Sequence, residues 1–348
     1  MRLRNKDIAE RLGISVTAVS LAINGRPGVS QETRRKVLEF LSESAQESVR
    51  DLNPSAVPVT MNEVRHGTVV LSIHKKHGEV MNDKPFFSNL VESAQIEAQK
   101  LGYTVTLAHY VASQGLDEYM NYIRSIGPVG IIVEATEINS DDLAGYQRLG
   151  IPLVLIDCSF DLSCVDAVEL DNQVSIFREF DYAYRMGHRN IGFLQASTYI
   201  NNFGHHLDGF MKGIHEYGLE ESNHPFVRLG CQVDTAYSDM RSFLSNPPEG
   251  FEMPTCFLSD LDYIAIGAMQ ALKEAGYRIP EDVSVVGYDD VPLSEASDPA
   301  LTTTRVNRGD AGEVAMRILD ERIRVNPDYF LTVQVSSELI VRDSVRKL

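Results

Sequence analysis

The sequence predicts an N-terminal all-α helix-turn-helix domain followed by a larger α/β body of two lobes built on parallel sheets. Three patterns carry this expectation. Within the first 45 residues two short amphipathic helices are broken at Gly13. After Gly67 short β-branched runs alternate with amphipathic helices, the rhythm of parallel sheets covered on both faces. Ten or more such strands are too many for one comfortable sheet, so the body divides.

The head reads element by element. Asn5 is placed to cap a first helix whose Ile8, Ala9 and Leu12 form one apolar stripe. Gly13 supplies the left-handed turn that ends it at little steric cost. Ser15 stands at the cap of the next helix, in which Ala18, Val19, Ala22 and Ile23 face inward and Val16, Thr17, Ser20 and Leu21 outward. Gly25 to Gly28 form a turn, and Ser30 caps a third helix with Val37, Leu38 and Leu41 inside. A unit this small cannot house an enzyme, and its second helix suits the major groove of DNA. A three-helix packing unit without DNA is the alternative reading.

Charge separates the two parts. The 348 residues carry a net charge of −17, which by itself argues against nucleic acid, because DNA binding draws on Lys and Arg to displace counterions. Residues 1–46, however, hold eight basic side chains against five acidic, a net +3, which leaves −20 for the remainder. A basic head on an acidic body docks on phosphate by its head alone.

In the body, Thr68–Ile73 reads as a strand, Phe86–Leu101 as a helix, Tyr103–Ala108 as a strand, Asp117–Ile126 as a helix and Gly130–Val133 as a strand. A helix from Ser140, the strand Pro152–Ile156, a helix from Asn172 and the strand Asn190–Leu194 follow. The rhythm continues through Phe203–Tyr217, Pro254–Leu258, Leu261–Ala275 and Val283–Tyr288. In open parallel sheets ligands sit beyond the carboxyl ends of the strands, so a cleft between two lobes is the expected binding site. Asp289 and Asp157 each stand at the carboxyl end of a strand, where a carboxylate can accept hydrogen bonds from ligand hydroxyls; turn capping is the alternative for both.

Other classes find little support. No apolar run is long enough to span a membrane, and Arg2 and Arg4 have no apolar stretch behind them, so a cytoplasmic protein is expected. Cys158, Cys164, Cys231 and Cys256 form no CxxC pair and read as reduced thiols rather than disulfides or metal ligands. His188, His205, His206 and His215 lack a His-Glu-x-x-His spacing, and neither a Gly-x-Ser-x-Gly elbow nor a phosphate-binding glycine loop occurs. No catalytic residue, metal or cofactor is expected.

The chain resembles the lactose/galactose repressor family. In the head the likeness rests on Lys6–Ser15, Ala18-Val-Ser20, Asn24-Gly25, Val29–Arg34 and Val37-Leu38. In the body it rests on Phe86-Phe87, Leu101-Gly-Tyr103, Asp171-Asn172, Gly187-His188, Gly209-Phe210, Ala265-Ile-Gly267, Ser284–Asp290 and Leu301–Thr304. It covers nearly the whole chain. The resemblance implies a helix-turn-helix domain over 1–46, a linker over 47–65 and a type I periplasmic-binding-protein-like body over 66–348. Lobe one would comprise 66–160 and 303–323, lobe two 161–302 and 324–348. It implies a homodimer on a near-palindromic DNA operator and a small-molecule effector, a sugar or sugar derivative, between the lobes. A solute-binding receptor with a non-regulatory helical unit is the alternative.

Within that frame the candidate DNA contacts are Lys6, Ser15, Val16, Thr17, Ser20, Leu21, Asn24, Arg26 and Arg34. Val16 suits a thymine methyl and Thr17 either base partner, while Lys6, Arg26 and Arg34 suit phosphates. Leu21 stands where the family commonly carries Arg. The candidate effector contacts are Phe86, Phe87, Asp157, His206, Asp262 and Asp289. A phenylalanine there offers a stacking face or fills core. His206 replaces the family's usual Arg, and Leu261-Asp262 its usual Asn-Asp; Asn201, Asn202 and His205 are substitute contacts. The linker is polar, holds Pro54 and Pro58, and lacks the family's Tyr-x-Pro-Asn hinge start, leaving Leu52 as the one candidate minor-groove wedge.

No heptad repeat follows the strand-like Leu339–Val341, so a dimer and not a tetramer is expected. Light scattering should give twice the 38.8 kDa chain mass; a stable tetramer would contradict this.

Overall fold

The computed structural model describes Ala9, residues 11–16, Ala18, Val19, Thr33, Lys36 and residues 67–80, 84–160 and 164–348, with the backbone alone for residues 84–86. The chain divides into two units, Met1–Asn62 and Glu63–Leu348. In the first, Gly13 adopts the expected left-handed φ of 65°. Ser15 Oγ accepts the Ala18 amide at 3.1 Å, the cap that starts the second helix. Ala9 and Val19 are buried and Val16 is 46% exposed, as the helical spacing requires. The linker over 47–65, including Leu52, lies outside the described residues.

The second unit holds two six-stranded sheets. The first is built from β1 (Thr68–Lys75), β2 (Thr104–Val111), β3 (Gly130–Glu134), β4 (Leu153–Ile156), β5 (Asp166–Leu170) and β11 (Thr332–Val335). Its order is β11-β5-β4-β3-β1-β2, all parallel. The second is built from β6 (Ile191–Ala196), β7 (Phe226–Leu229), β8 (Cys256–Ser259), β9 (Ser284–Asp289), β10 (Thr302–Arg305) and β12 (Glu338–Ile340). Its order is β12-β10-β9-β8-β6-β7, parallel except for the antiparallel β10–β12 edge.

The connecting helices are α1 (Lys84–Leu101), α2 (Leu116–Ile126), α3 (Ser140–Gln147), α4 (Asn172–Arg185), α5 (Asn201–Glu216), α6 (Val233–Ser245), α7 (Asp262–Glu274), α8 (Pro292–Ala296) and α9 (Arg308–Arg324). Helices on both faces explain why the central strands β3 and β4 are buried at every position. On the first sheet Val70, Ile131, Val133 and Leu155 pack against Tyr119, Ile123 and Leu143 of α2 and α3. The alternate residues Val69, Leu71, Ile132 and Val154 pack against Leu90 and Ala94 of α1 and Ala315 and Leu319 of α9. The strand period of two sends successive side chains to opposite cores.

The lobe boundaries differ from the expectation. β5 belongs to the first sheet although 161–170 was assigned to lobe two, β10 belongs to the second sheet although 303–305 was assigned to lobe one, and β11 returns to the first sheet. The chain therefore crosses between lobes at 170–172, 305–308 and 335–338. These crossings are bonded to one another. Asp171 Oδ1 accepts the Ser337 amide at 2.9 Å, the Asp171 amide reaches Val335 O at 3.2 Å, and Asn307 Nδ2 reaches Ser336 O at 2.6 Å.

β5 escapes a reading by hydrophobicity because its first residue is a buried aspartate. Asp166 takes a two-pronged contact from Arg322 of α9, Nε at 2.8 Å and Nη2 at 3.0 Å, and also accepts the Leu331 amide at 2.8 Å. Both ions are buried, and the guanidinium also reaches the Pro327 and Tyr329 carbonyls. Removing the cation alone leaves a buried carboxylate, a cost of about 3–5 kcal/mol. Arg322→Ala should therefore lower the urea midpoint strongly, and a change below about 1 kcal/mol would show that the pair does not tie β5, β11 and α9 together.

Candidate functional site

Parallel strands deliver their carboxyl ends to one side of each sheet, and the three crossings turn those sides towards each other. Between them lies a narrow cleft. From the first lobe come Val80, Phe87, Thr136, Asp157 and Leu170; from the second come Asn172, Asn202, Phe203, His206, Leu261, Tyr263, Tyr288, Asp289 and Val291; Arg308 enters from the crossing.

Arg308 is the first residue of α9 and is buried. Its Nη1 lies 3.3 Å from Asp157 Oδ2 and its Nη2 lies 3.4 Å from Asp289 Oδ1, so one guanidinium faces a carboxyl group from each lobe. The cation also stands 5.7 Å from the centre of the Phe87 ring. Both aspartates hold positive φ, 68° for Asp157 and 117° for Asp289, conformations that cost of order 1–3 kcal/mol and persist only where the surroundings enforce them. Burial, and then the neighbouring carboxyls Asp262 and Asp157, push Asp289 well above the ordinary carboxyl range, and Arg308 opposes them.

Behind Asp157 lies a second acid. Thr136 Oγ1 is within hydrogen-bond reach of Glu134 Oε1 and 2.5 Å from Asp157 Oδ2. Burial, reinforced by Asp157, pushes Glu134 up to about 8. A hydroxyl donates only once, so a protonated Glu134 donating to Thr136, which donates onward to Asp157, satisfies all three groups.

The second lobe contributes an imidazole. His206 sits on the inner stripe of α5 with Asn202, Gly209, Phe210 and Gly213, all buried, while His205 points out. The two glycines permit the close approach of α4: a Cβ on Gly209 would lie 2.4 Å from Gln173 O, and one on Gly213 would lie 2.4 Å from the Phe180 ring. His206 Nδ1 is 3.1 Å from Asp260 Oδ1, and Asp260 Oδ2 accepts the Ala196 amide at 2.7 Å. The ring packs against Tyr288 with centroids 4.4 Å apart, and Tyr288 donates to Asn172 Oδ1 at 2.8 Å. His206 Nε2, Asp157 Oδ1 and Glu134 Oε2 are buried without a hydrogen-bond partner in the protein.

Residues 6–45 match the family described as bacterial regulatory proteins, lacI family, and residues 180–345 match the periplasmic binding protein-like domain. The HTH-type transcriptional repressor PurR of Mannheimia succiniciproducens is 27% identical, over 99% of this chain and 98% of its own. That of Edwardsiella ictaluri is 28% identical, over 98% and 96%. The chain joins a lacI-family head to a periplasmic binding protein-like body. Two solved structures share its fold along 99% of its length and 100% of theirs. They are a transcriptional regulator CelR–cellobiose complex, at TM-score 0.69 and 22% identity, and a lac repressor dimer bound to operator and the anti-inducer ONPF, at 0.68 and 20%.

Of the residues singled out in the regulator's sequence, Phe87, Asp157, His206 and Asp289 converge on the void, as does Asn202. Asp262 does not line it. It is fully buried at the start of α7 and accepts the Val291 amide at 2.9 Å and the Ser294 and Thr303 hydroxyls at 2.6 Å each, tying down the loop after Asp289. A Cβ on Gly287 would lie 2.1 Å from its Oδ1, which explains the glycine before Tyr288. Asn201 bonds Cys158 Sγ across the lobes at 3.2 Å instead of facing the void. The Phe86 side chain lies outside the described residues, as do Lys6, Thr17, Ser20, Leu21, Asn24, Arg26 and Arg34.

Sequence reasoning missed Arg308, Glu134, Thr136 and Asp260. Two residues separate Arg308 from the Thr302–Arg305 run, and a cation at the start of a helix, where the helix dipole disfavours it, was the available signal. Among the described residues no cluster of His, Cys, Asp or Glu is arranged to hold a metal ion, and no helix is long and apolar enough to cross a membrane.

The proton on Glu134 carries a prediction. Its value rises from the ordinary 4.5 to about 8 in the folded protein, so the folded state holds the extra proton between those limits. The associated stability is complete below 4.5 and is lost as pH rises through about 8. Glu134→Gln keeps a donor for Thr136 and cannot ionise. Its melting temperature relative to the parent should climb from about pH 5 to about pH 8 and level off above that, and a difference independent of pH would rule out a protonated Glu134.

Proposed function

We propose that this protein is a sequence-specific DNA-binding transcriptional repressor whose operator affinity is set by a small molecule, a sugar or sugar derivative, held between the two lobes. The observation that carries the reading is the presence in one chain of a lacI-family head at 6–45 and a two-lobed body with polar groups converging on one cleft. Support for the head comes from the capped second helix, which leaves Val16 exposed at its start. Val16 and Thr17, with Ser15, Ser20, Leu21 and Asn24 around them, read base edges, and Lys6, Arg26 and Arg34 neutralise phosphates. Phe87, Asp157, His206 and Asp289 contact the effector, with Arg308 orienting the two carboxyls.

The protein acts in the cytoplasm as a homodimer on a near-palindromic operator and is not an enzyme. Relatives named as repressors, and a fold shared with a regulator solved with cellobiose and with a repressor dimer solved on its operator, support these points. Effector and operator affect each other's affinity reciprocally, whatever the sign of the coupling.

Selection from a random DNA pool, followed by electrophoretic mobility shift, tests the reading. A palindromic consensus is expected, with affinity falling steeply with salt, and Arg26→Ala should weaken binding to all sequences while lowering the salt slope by about 1. Retention without sequence preference would overturn it.

A further inference from the structure

The three crossings join the lobes at one end of the cleft. They run through β5 and β11 of the first sheet and β10 and β12 of the second, which stand together at one edge of each sheet. At the opposite edges stand β1 and β2 of the first sheet and β6 and β7 of the second. From the carboxyl end of β1 the loop of residues 76–80 reaches lobe two at that opposite end. The Glu79 carbonyl accepts Gln232 Nε2 at 2.8 Å, the Glu79 carboxylate accepts the Thr198 hydroxyl, and Val80 packs against the lobe-two core while lining the cleft. Thr198 and Gln232 lie just beyond the carboxyl ends of β6 and β7. Contacts this far from the crossings oppose a hinged opening with the longest lever.

The loop is nevertheless built as part of lobe one. Glu137, buried beyond β3, gathers its backbone: Oε2 accepts the Lys76, His77 and Gly78 amides at 2.8, 2.9 and 2.8 Å, and Oε1 accepts the Val80 amide at 3.3 Å. Gly78 holds a left-handed φ of 73°, which lets successive N–H groups converge on one oxygen. Lys76 Nζ adds a 2.7 Å contact to Asp142 Oδ2 in the first turn of α3. Bonds to a carboxylate are roughly twice as strong as those between neutral groups. A loop already fixed on one lobe loses little further conformational entropy when it meets the other.

We propose that residues 76–80 are a preordered clasp that holds the lobes together at the end away from the crossings, so that a small molecule enters or leaves the cleft only when Glu79 parts from Thr198 and Gln232. Glu137 is the positioning residue that orders the clasp. The device belongs to the body alone, so it goes beyond the repressor reading and does not depend on it.

Two measurements on the full chain test this: hydrogen exchange of the amides at 76–80, and the rate at which N-ethylmaleimide alkylates Cys158, followed by peptide mass spectrometry. Cys158 is buried, follows Asp157 of the cleft wall, and takes Asn201 Nδ2 from the second lobe at 3.2 Å. Cys164 is exposed and Cys256 is buried in the lobe-two core, so they serve as the accessible and inaccessible references. In the parent the amides of Lys76, His77, Gly78 and Val80 should exchange about 100-fold more slowly than in an unstructured peptide. Glu79→Ala combined with Gln232→Ala should keep that protection and raise Cys158 alkylation about 10-fold, with Cys256 unchanged. Glu137→Gln should lose the protection, raise alkylation by a similar factor, and add nothing further to the Glu79→Ala and Gln232→Ala pair.

Parent amides that exchange as in an unstructured peptide would overturn the proposal. So would Cys158 alkylation indifferent to the Glu79→Ala and Gln232→Ala pair, Cys256 alkylation rising in step with it, or additive effects of that pair and Glu137→Gln. Glu79 is exposed and Gln232 partly so, and their variant decides the matter if Glu137→Gln does not fold. None of these readouts uses operator DNA, so a failed clasp leaves the repressor reading standing.

Discussion

One buried guanidinium joins the two lobes electrostatically. Arg308 sits where the chain passes from β10 of one sheet into α9 of the other, and the Asp157 and Asp289 carboxyls reach it from opposite sides. Removing any of the three from water is costly, and each is tolerable only because the others are present. Both aspartates occupy positive φ, so their backbones are held by the surrounding loops as well as by the charge. The relative placement of the sheet ends therefore sets the shape of the cleft, and Arg308 is the element common to both.

The loops beyond the strands divide their acidic residues between structure and site. In Tyr288-Asp289-Asp290 the tyrosine anchors Asn172, Asp289 turns to the cleft, and Asp290 turns away to Arg305 at 2.7 Å and Arg342 at 2.5 Å. Asp262 and Asp171 hold loops and crossings, whereas Asp157 keeps an oxygen for the void. The net excess of acid in the body is thus not a uniform surface coat. Part of it forms internal hydrogen bonds that hold the loops and crossings around the cleft in place.

How legible this was depended on whether a residue's role followed from its immediate neighbours. Asp157 and Asp289 could be named because a polar residue closing an apolar strand lies at a predictable place in an open parallel sheet. His206 could be named from the spacing ahead of Gly209-Phe210, and its burial follows from that helical stripe. Asp262 was named from the likeness of Leu261-Asp262 to the family's Asn-Asp, and it does not reach the cleft because its partners Val291, Ser294 and Thr303 come from distant segments. β5 and α9 were overlooked because their charges, Asp166 and Arg322, are buried as a pair, which no periodicity reveals.

The sequence by itself determined the helix-turn-helix with its Ser15 cap and Gly13 turn, the alternation of strands and helices, and the strand ends that carry Asp157 and Asp289. These are local: capping, φ preference and the periods of 2 and 3.6 act within a few residues. Only the tertiary structure decided that β5 and β11 share a sheet, that Arg308 stands between the two aspartates, and that Asp260 orients His206. Those pairings join residues 19 to 165 positions apart, and their energies depend on burial and on partners that local sequence does not encode.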